Sequence, residues 1–115
     1  MSIKIYHNPR CTKSRLTLEL LKSKNIEPEV ILYLETPPSK TDLQEIMQKL
    51  QAKTPLDFMR PKEDAFQEQN LSNKSSNDEL LAAIIKTPQL LERPIVINGN
   101  KAAIGRPPEN ILEIL

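Results

Sequence analysis

The order of sequence signals predicts an α/β fold in which four strands share one mixed sheet. Three observations carry it. A strand-length run precedes a helical stripe and a second strand-length run, which is the pattern of a parallel strand-helix-strand unit with a right-handed crossover. Two short extended runs near the C-terminus flank Asn98-Gly99, the strongest local hairpin signal. Between these halves lies a stretch of helical patterning broken by prolines.

Ile3 and Ile5 alternate with Lys4 and Tyr6, so the first strand ends near His7, before Pro9. Leu16, Leu20 and Leu21 give an apolar stripe for a helix from about Cys11. Lys22 and Lys24 suit its C-terminal dipole, and Asn25 ends it. The β-branched and apolar run over residues 29–34 reads as the second strand. Thr36-Pro37-Pro38 is a break, after which Ser39 and Asp42 cap a helix with Leu43, Ile46, Met47 and Leu50 on one face. Pro55 and Pro61 cut the helical region, and residues 67–77 read as a polar loop around Leu71. Ser76 and Glu79 form a second capping box, for a helix that Pro88 closes. Ile95-Val96-Ile97 and residues 101–104 make the hairpin. Gly105-Arg106-Pro107-Pro108-Glu109 opens a last helix that offers Ile111, Leu112 and Leu115 to the core. A β-α-β half, a helical insert over about residues 39–91 and a β-β-α half suit a thioredoxin-like sheet with two parallel and two antiparallel pairings. One domain covering residues 1–115 is expected from the length.

Composition excludes several classes of function. Sixteen Lys and Arg against fifteen Asp and Glu leave a net charge of +1, so no global field draws nucleic acid or an anionic membrane. No apolar run approaches the roughly 20 residues that span a bilayer, and the N-terminus carries no apolar signal region. A lone cysteine makes no internal disulfide and lacks the partners of a cysteine-rich zinc site. Neither a metal nor a bound cofactor is expected, and a reducing cytoplasm is the natural setting.

That cysteine is the chemical centre of the sequence. Cys11 follows a strand, starts a helix and lies among polar or cationic neighbours in His7-Asn8-Pro9-Arg10-Cys11-Thr12-Lys13-Ser14-Arg15. Free N–H groups and the positive helix end lower a thiol pKa and so create the nucleophilic thiolate. Ser14 can donate a hydrogen bond to that thiolate, or serve as an ordinary first-turn residue. His7, the one histidine, can take the thiol proton when neutral, stabilise the thiolate when charged, or act as a structural donor. Cys11-x-x-x-Arg15 is two residues shorter than a phosphatase loop and has no glycine, so other ligands of an oxyanion must come from remote parts of the chain.

His7-Asn8-Pro9-x-Cys11-x-x-Ser14-Arg15, Glu92-Arg93-Pro94-Ile95-Val96 and Gly105-Arg106-Pro107-Pro108-Glu109 together resemble the glutaredoxin-coupled arsenate reductase family. Leu32-Tyr33-Leu34-Glu35-Thr36-Pro37-Pro38 and Phe58-Met59-Arg60 extend the resemblance to nearly the whole chain. The resemblance implies a thioredoxin-like fold in which Cys11 attacks arsenate and Arg60, Arg93 and Arg106 bind the oxyanion. It also implies that His7 and Ser14 support the thiolate, that the Arg93-Pro94 bond is cis and turns Arg93 toward Cys11, and that glutathione and glutaredoxin supply electrons. Two other readings share the superfamily: a thiol-disulfide oxidoreductase acting on glutathionylated substrates, and an Spx-like transcription-regulatory module, which resembles a Cys-x-x-Cys switch that Ser14 here removes.

Overall fold

The computed structural model describes residues 3–115. It divides into two compact units, one formed by the chain up to Thr36 together with Arg93–Leu115, the other by Pro37–Glu92.

The first unit holds the sheet. β1 (Ile3–Tyr6), β2 (Glu29–Ile31), β3 (Ile95–Asn98) and β4 (Lys101–Ile104) lie in the order β2-β1-β3-β4. β1 pairs parallel with β2 and antiparallel with β3, and β3 pairs antiparallel with β4. The mixed sheet agrees with expectation, but the pairing count does not. An open sheet of four strands has only three interfaces, here one parallel and two antiparallel.

Helix α1 (Thr12–Ser23) makes the crossover between β1 and β2. Its inward face runs through Ser14, Thr17 and Leu21, whereas Leu16 is exposed, so the leucine stripe placed the face one position too far round. The polar face is tolerated because its hydroxyls are bonded: Thr17 Oγ1 donates to the Lys13 carbonyl at 2.8 Å. Asn25 ends the helix with φ 61°, and the Ile26 N–H reaches back to the Leu21 carbonyl at 3.0 Å. β2 stops at Ile31, short of residue 34. The Leu32 carbonyl accepts from the N–H groups of Glu35 and Thr36, which turns the chain away from the sheet. Ile5, Leu21, Val96 and Ile111 form the buried core of this unit.

The hairpin turn is offset by one residue from the Asn-Gly reading. Asn98 still pairs with Lys101, so Gly99 and Asn100 make the loop, and only Gly99 has positive φ, at 61°. That is the φ pattern of a type II′ turn, which needs glycine at its first central position. The last helix is a 3₁₀ segment, Pro108–Ile114. With three residues per turn it buries Pro108 and Ile111 and half-buries Ile114, leaving Leu112 and Leu115 exposed.

The second unit is helical. α2 (Lys40–Leu50) and α4 (Asn77–Lys86) each start with a complete capping box, Ser39 with Asp42 and Ser76 with Glu79. Between them lie a 3₁₀ turn, Pro55–Phe58, capped by Thr54, and a short α3 (Asp64–Glu68) that buries Phe66. A second 3₁₀ turn, Pro88–Leu90, follows α4, and Met59 bridges to Leu91. Among the described residues no helix is long and apolar enough to cross a membrane.

Candidate active site

Cys11 is the N-cap residue of α1, with extended backbone at φ −93° and ψ 123°. Its carbonyl accepts the Arg15 N–H at 3.0 Å, the first bond of the helix. A side chain at this position faces the unsatisfied N–H groups of the first turn. The sulfur makes no capping hydrogen bond, but the N–H groups of Ser14 and Lys13 still favour its thiolate form.

The loop that presents the cysteine is tied at several points. The Cys11 N–H donates to the Asn8 carbonyl at 3.0 Å, and Asn8 Oδ1 accepts the Arg10 N–H at 3.0 Å. Arg15 Nη1 donates to the Pro9 carbonyl at 2.8 Å. These ties hold the chain in a tight turn between β1 and α1.

His7 and Ser14 meet behind the loop, both buried, with Nδ1 and Oγ 2.6 Å apart. Ser14 Oγ also accepts the Asn8 N–H at 3.0 Å. Burial, aided by Lys22 and Arg15, holds His7 below its ordinary pKa, so the imidazole is neutral at pH 7. The Ser14 hydroxyl is therefore engaged with His7 and Asn8, and the group that Ser14 offers the sulfur is its backbone N–H.

Two arginines distant in sequence converge on the sulfur. Arg93, just before β3, hydrogen-bonds to it and also interacts with the fully buried Tyr33. Arg106 Nη2 lies 3.7 Å from Cys11 Sγ, while its Nε donates to the Arg93 carbonyl at 2.9 Å. The peptide bonds Arg93-Pro94 and Arg106-Pro107 are both cis. Gly105 provides the close approach this arrangement needs. A Cβ there would lie 2.5 Å from Thr17 Oγ1 and 2.8 Å from Pro94 Cγ, and the Gly105 N–H donates to the Pro94 carbonyl at 2.9 Å.

Burial alone would push the Cys11 thiol up. The Ser14 N–H, the hydrogen bond and charge of Arg93, and the Lys13 N–H outweigh it, so the pKa lies below the ordinary thiol value. A half-exposed cysteine with a lowered pKa has the chemistry that nucleophilic attack requires, and guanidinium groups beside it are planar donors of the kind that hold oxyanions.

Arg60 belongs to the helical unit. There its Nε lies 3.3 Å from Glu63 Oε1 and its Nη1 3.7 Å from Glu92 Oε1, and its N–H donates to the Leu90 carbonyl at 2.8 Å. Asn8, Tyr33 and Thr17 also take part in this arrangement without having been expected at the site. Only Asn8 left a usable signal, since asparagine before proline favours a turn that its side chain closes.

A family model described as the ArsC family matches residues 6–114. The chain belongs to the ArsC family. An arsenate reductase of Haemophilus influenzae is 51% identical over 116 residues, covering 100% of both chains. The uncharacterised protein YfgD of Escherichia coli (strain K12) is also 51% identical, over 98% of this chain and 96% of its own. Among solved structures, an arsenate reductase from Vibrio cholerae superposes with a TM-score of 0.96 at 49% identity, over 100% of this chain and 98% of its own. This ArsC-family chain thus shares the thioredoxin-like fold of those relatives.

Proposed function

We propose that this ArsC-family chain reduces arsenate to arsenite, with Cys11 as the nucleophile and glutathione and glutaredoxin as the source of electrons. The observation that carries the reading is the pair of guanidinium groups, Arg93 and Arg106, at the sulfur of a thiol whose pKa is already lowered. The names of the half-identical relatives support the substrate.

An incoming arsenate dianion would be repelled by a thiolate, and two arginines offset that repulsion while orienting the oxygens. Arg60 is the third oxyanion arginine of this reading, on the family resemblance of Phe58-Met59-Arg60. The thiolate attacks arsenic, an oxygen leaves as water after protonation, and a sulfur–arsenic bond forms. Glutathione thiolate then attacks the Cys11 sulfur, the sulfur–arsenic electron pair stays on arsenic, and arsenic(V) becomes arsenic(III). The two sulfurs supply both electrons and end as a mixed disulfide, which glutaredoxin reduces. Cys11 is the sole cysteine, so the second thiol must come from another molecule, and a reducing cytoplasm provides it.

In this reading Ser14 stabilises the thiolate through its backbone N–H. His7, neutral, acts through Ser14 by holding that residue in place. The test is an assay of purified protein with glutathione, glutaredoxin and a panel of oxyanions. Arsenite formation dependent on both thiol components is expected. Turnover of a glutathionylated protein with no oxyanion reduction would overturn the reading in favour of thiol-disulfide exchange.

A further inference from the structure

The Cys11 loop has a second side. Next to His7 and Asn8 lies an open cleft of about 270 Å³, lined also by Pro9, Arg10, Leu32, Leu34 and Glu35. Leu34 is 40% exposed, one of the few large apolar side chains left to solvent, and Leu32 is half-buried. Arg10 and Glu35 are both exposed, and neither is ion-paired among the described residues. An apolar lining that carries one unpaired cation and one unpaired anion is complementary to a zwitterion. It matches the ammonium and carboxylate of an amino-acid head group, with aliphatic or peptide atoms laid over the leucines.

The position matters because Arg10 immediately precedes the nucleophile, its Cα about 3.8 Å from that of Cys11. A molecule whose head group is held by Arg10 and Glu35 is therefore anchored on the same loop that presents the cysteine. Reduction by an outside thiol is required here, since the chain holds one cysteine.

We propose that this cleft is the binding subsite for the reducing thiol, a small peptide with a zwitterionic head group, gripped by Arg10 through its carboxylate and Glu35 through its ammonium. The inference rests on the reading of Cys11 as a nucleophile resolved by an external thiol. It assigns the oxyanion and the thiol to different groups: Arg93 and Arg106 take the first, Arg10 and Glu35 the second.

Reduced glutathione titrated into the Cys11→Ser chain, where no covalent bond can form, tests the subsite by amide chemical shifts. Saturable shifts at Arg10 and at residues 32–35 are expected. Arg10→Glu and Glu35→Lys should each weaken binding about tenfold, the loss of one charge-assisted contact, with the thermal midpoint unchanged. The double swap Arg10→Glu with Glu35→Arg should recover part of the affinity, and N-acetylcysteine, which has a thiol but no ammonium, should bind more weakly than glutathione. Shifts confined to residues around Arg93 and Arg106, equal affinity in the charge-reversed variants, or no saturable binding would each overturn the subsite. Binding is read without turnover, so a protein that binds glutathione here yet leaves arsenate unreduced would undo the proposed function and leave the subsite standing.

Discussion

Arg106 Nη2 and Cys11 Sγ lie 3.7 Å apart although 95 residues separate them in sequence. The contact is built by main-chain constraints at both ends. Cys11 is held at the N-cap of α1, and Arg106 is held by its own bond to the Arg93 carbonyl and by the tight packing of Gly105 against Thr17 and Pro94. Both arginines reach the sulfur as one assembly.

Replacing Arg93 with lysine keeps a charge and loses the planar fork that serves the sulfur and Tyr33 together. Oxyanion affinity should fall by about tenfold or more, as expected for one charge-assisted bond, and the Cys11 pKa should rise. Thiolate absorbance against pH and an oxyanion titration measure both. An unchanged pKa would remove Arg93 from the thiolate's environment.

Ser14→Ala deletes the acceptor of the buried Asn8 N–H and the partner of His7. Leaving such a donor unsatisfied costs about 1–3 kcal/mol, so a denaturant midpoint should drop clearly. The backbone N–H of residue 14 survives the change, so the Cys11 pKa should move less than in Arg93→Lys. The reverse order would place the serine hydroxyl, not the N–H, at the sulfur.

Gly105→Ala puts a methyl group against Thr17 and Pro94, where no space exists. Overpacking of this kind costs about 1–3 kcal/mol, and the displaced backbone carries Arg106 with it. Thermal melting should show the loss, and Thr17→Ser, which removes the nearby Cγ2 but keeps the hydroxyl, should relieve part of it. Wild-type stability in Gly105→Ala would refute the close approach.

Stability should increase with pH through two groups. His7 has a folded pKa below the ordinary 6.5, so the unfolded chain binds a proton that the folded chain refuses. Its contribution is complete above about pH 6.5 and is lost as pH falls through the folded value. Cys11 is also lowered, so its contribution is complete above the unfolded thiol value of about 8.5 and is lost as pH falls through the folded value. Unfolding free energies across this range should show an acid slope that His7→Gln flattens and an alkaline slope that Cys11→Ser flattens. Identical profiles in wild type and variants would show that neither pKa differs between folded and unfolded chains.

Cys11→Ser should abolish oxyanion reduction, because a hydroxyl cannot pass on the electrons that sulfur does. Wild-type protein treated with oxidised glutathione should gain one glutathione by mass. Multiple turnovers without added thiol would overturn the external-thiol mechanism.

By itself the sequence determined what depends on neighbours along the chain. The alternation of Ile3 and Ile5, the capping boxes at Ser39 and Ser76, the hairpin around Gly99 and the helix start at Cys11 are set by local hydrogen bonds and side-chain periodicity, and all are present in the structure. Matching several motifs in order also carried the fold and the family. Tertiary structure decided the rest. Leu16 is outside because Ser14 bonds to His7 and Thr17 packs against Gly105, which turns α1 onto another face, and Leu112 is outside because the final turns wind with three residues each. Which atom of Ser14 meets the sulfur, whether His7 is charged, and which arginine lies beside Cys11 depend on burial and on hydrogen bonds across as many as 95 residues. Desolvation and convergence of this kind are properties of three-dimensional packing, and residue spacing along the chain does not encode them.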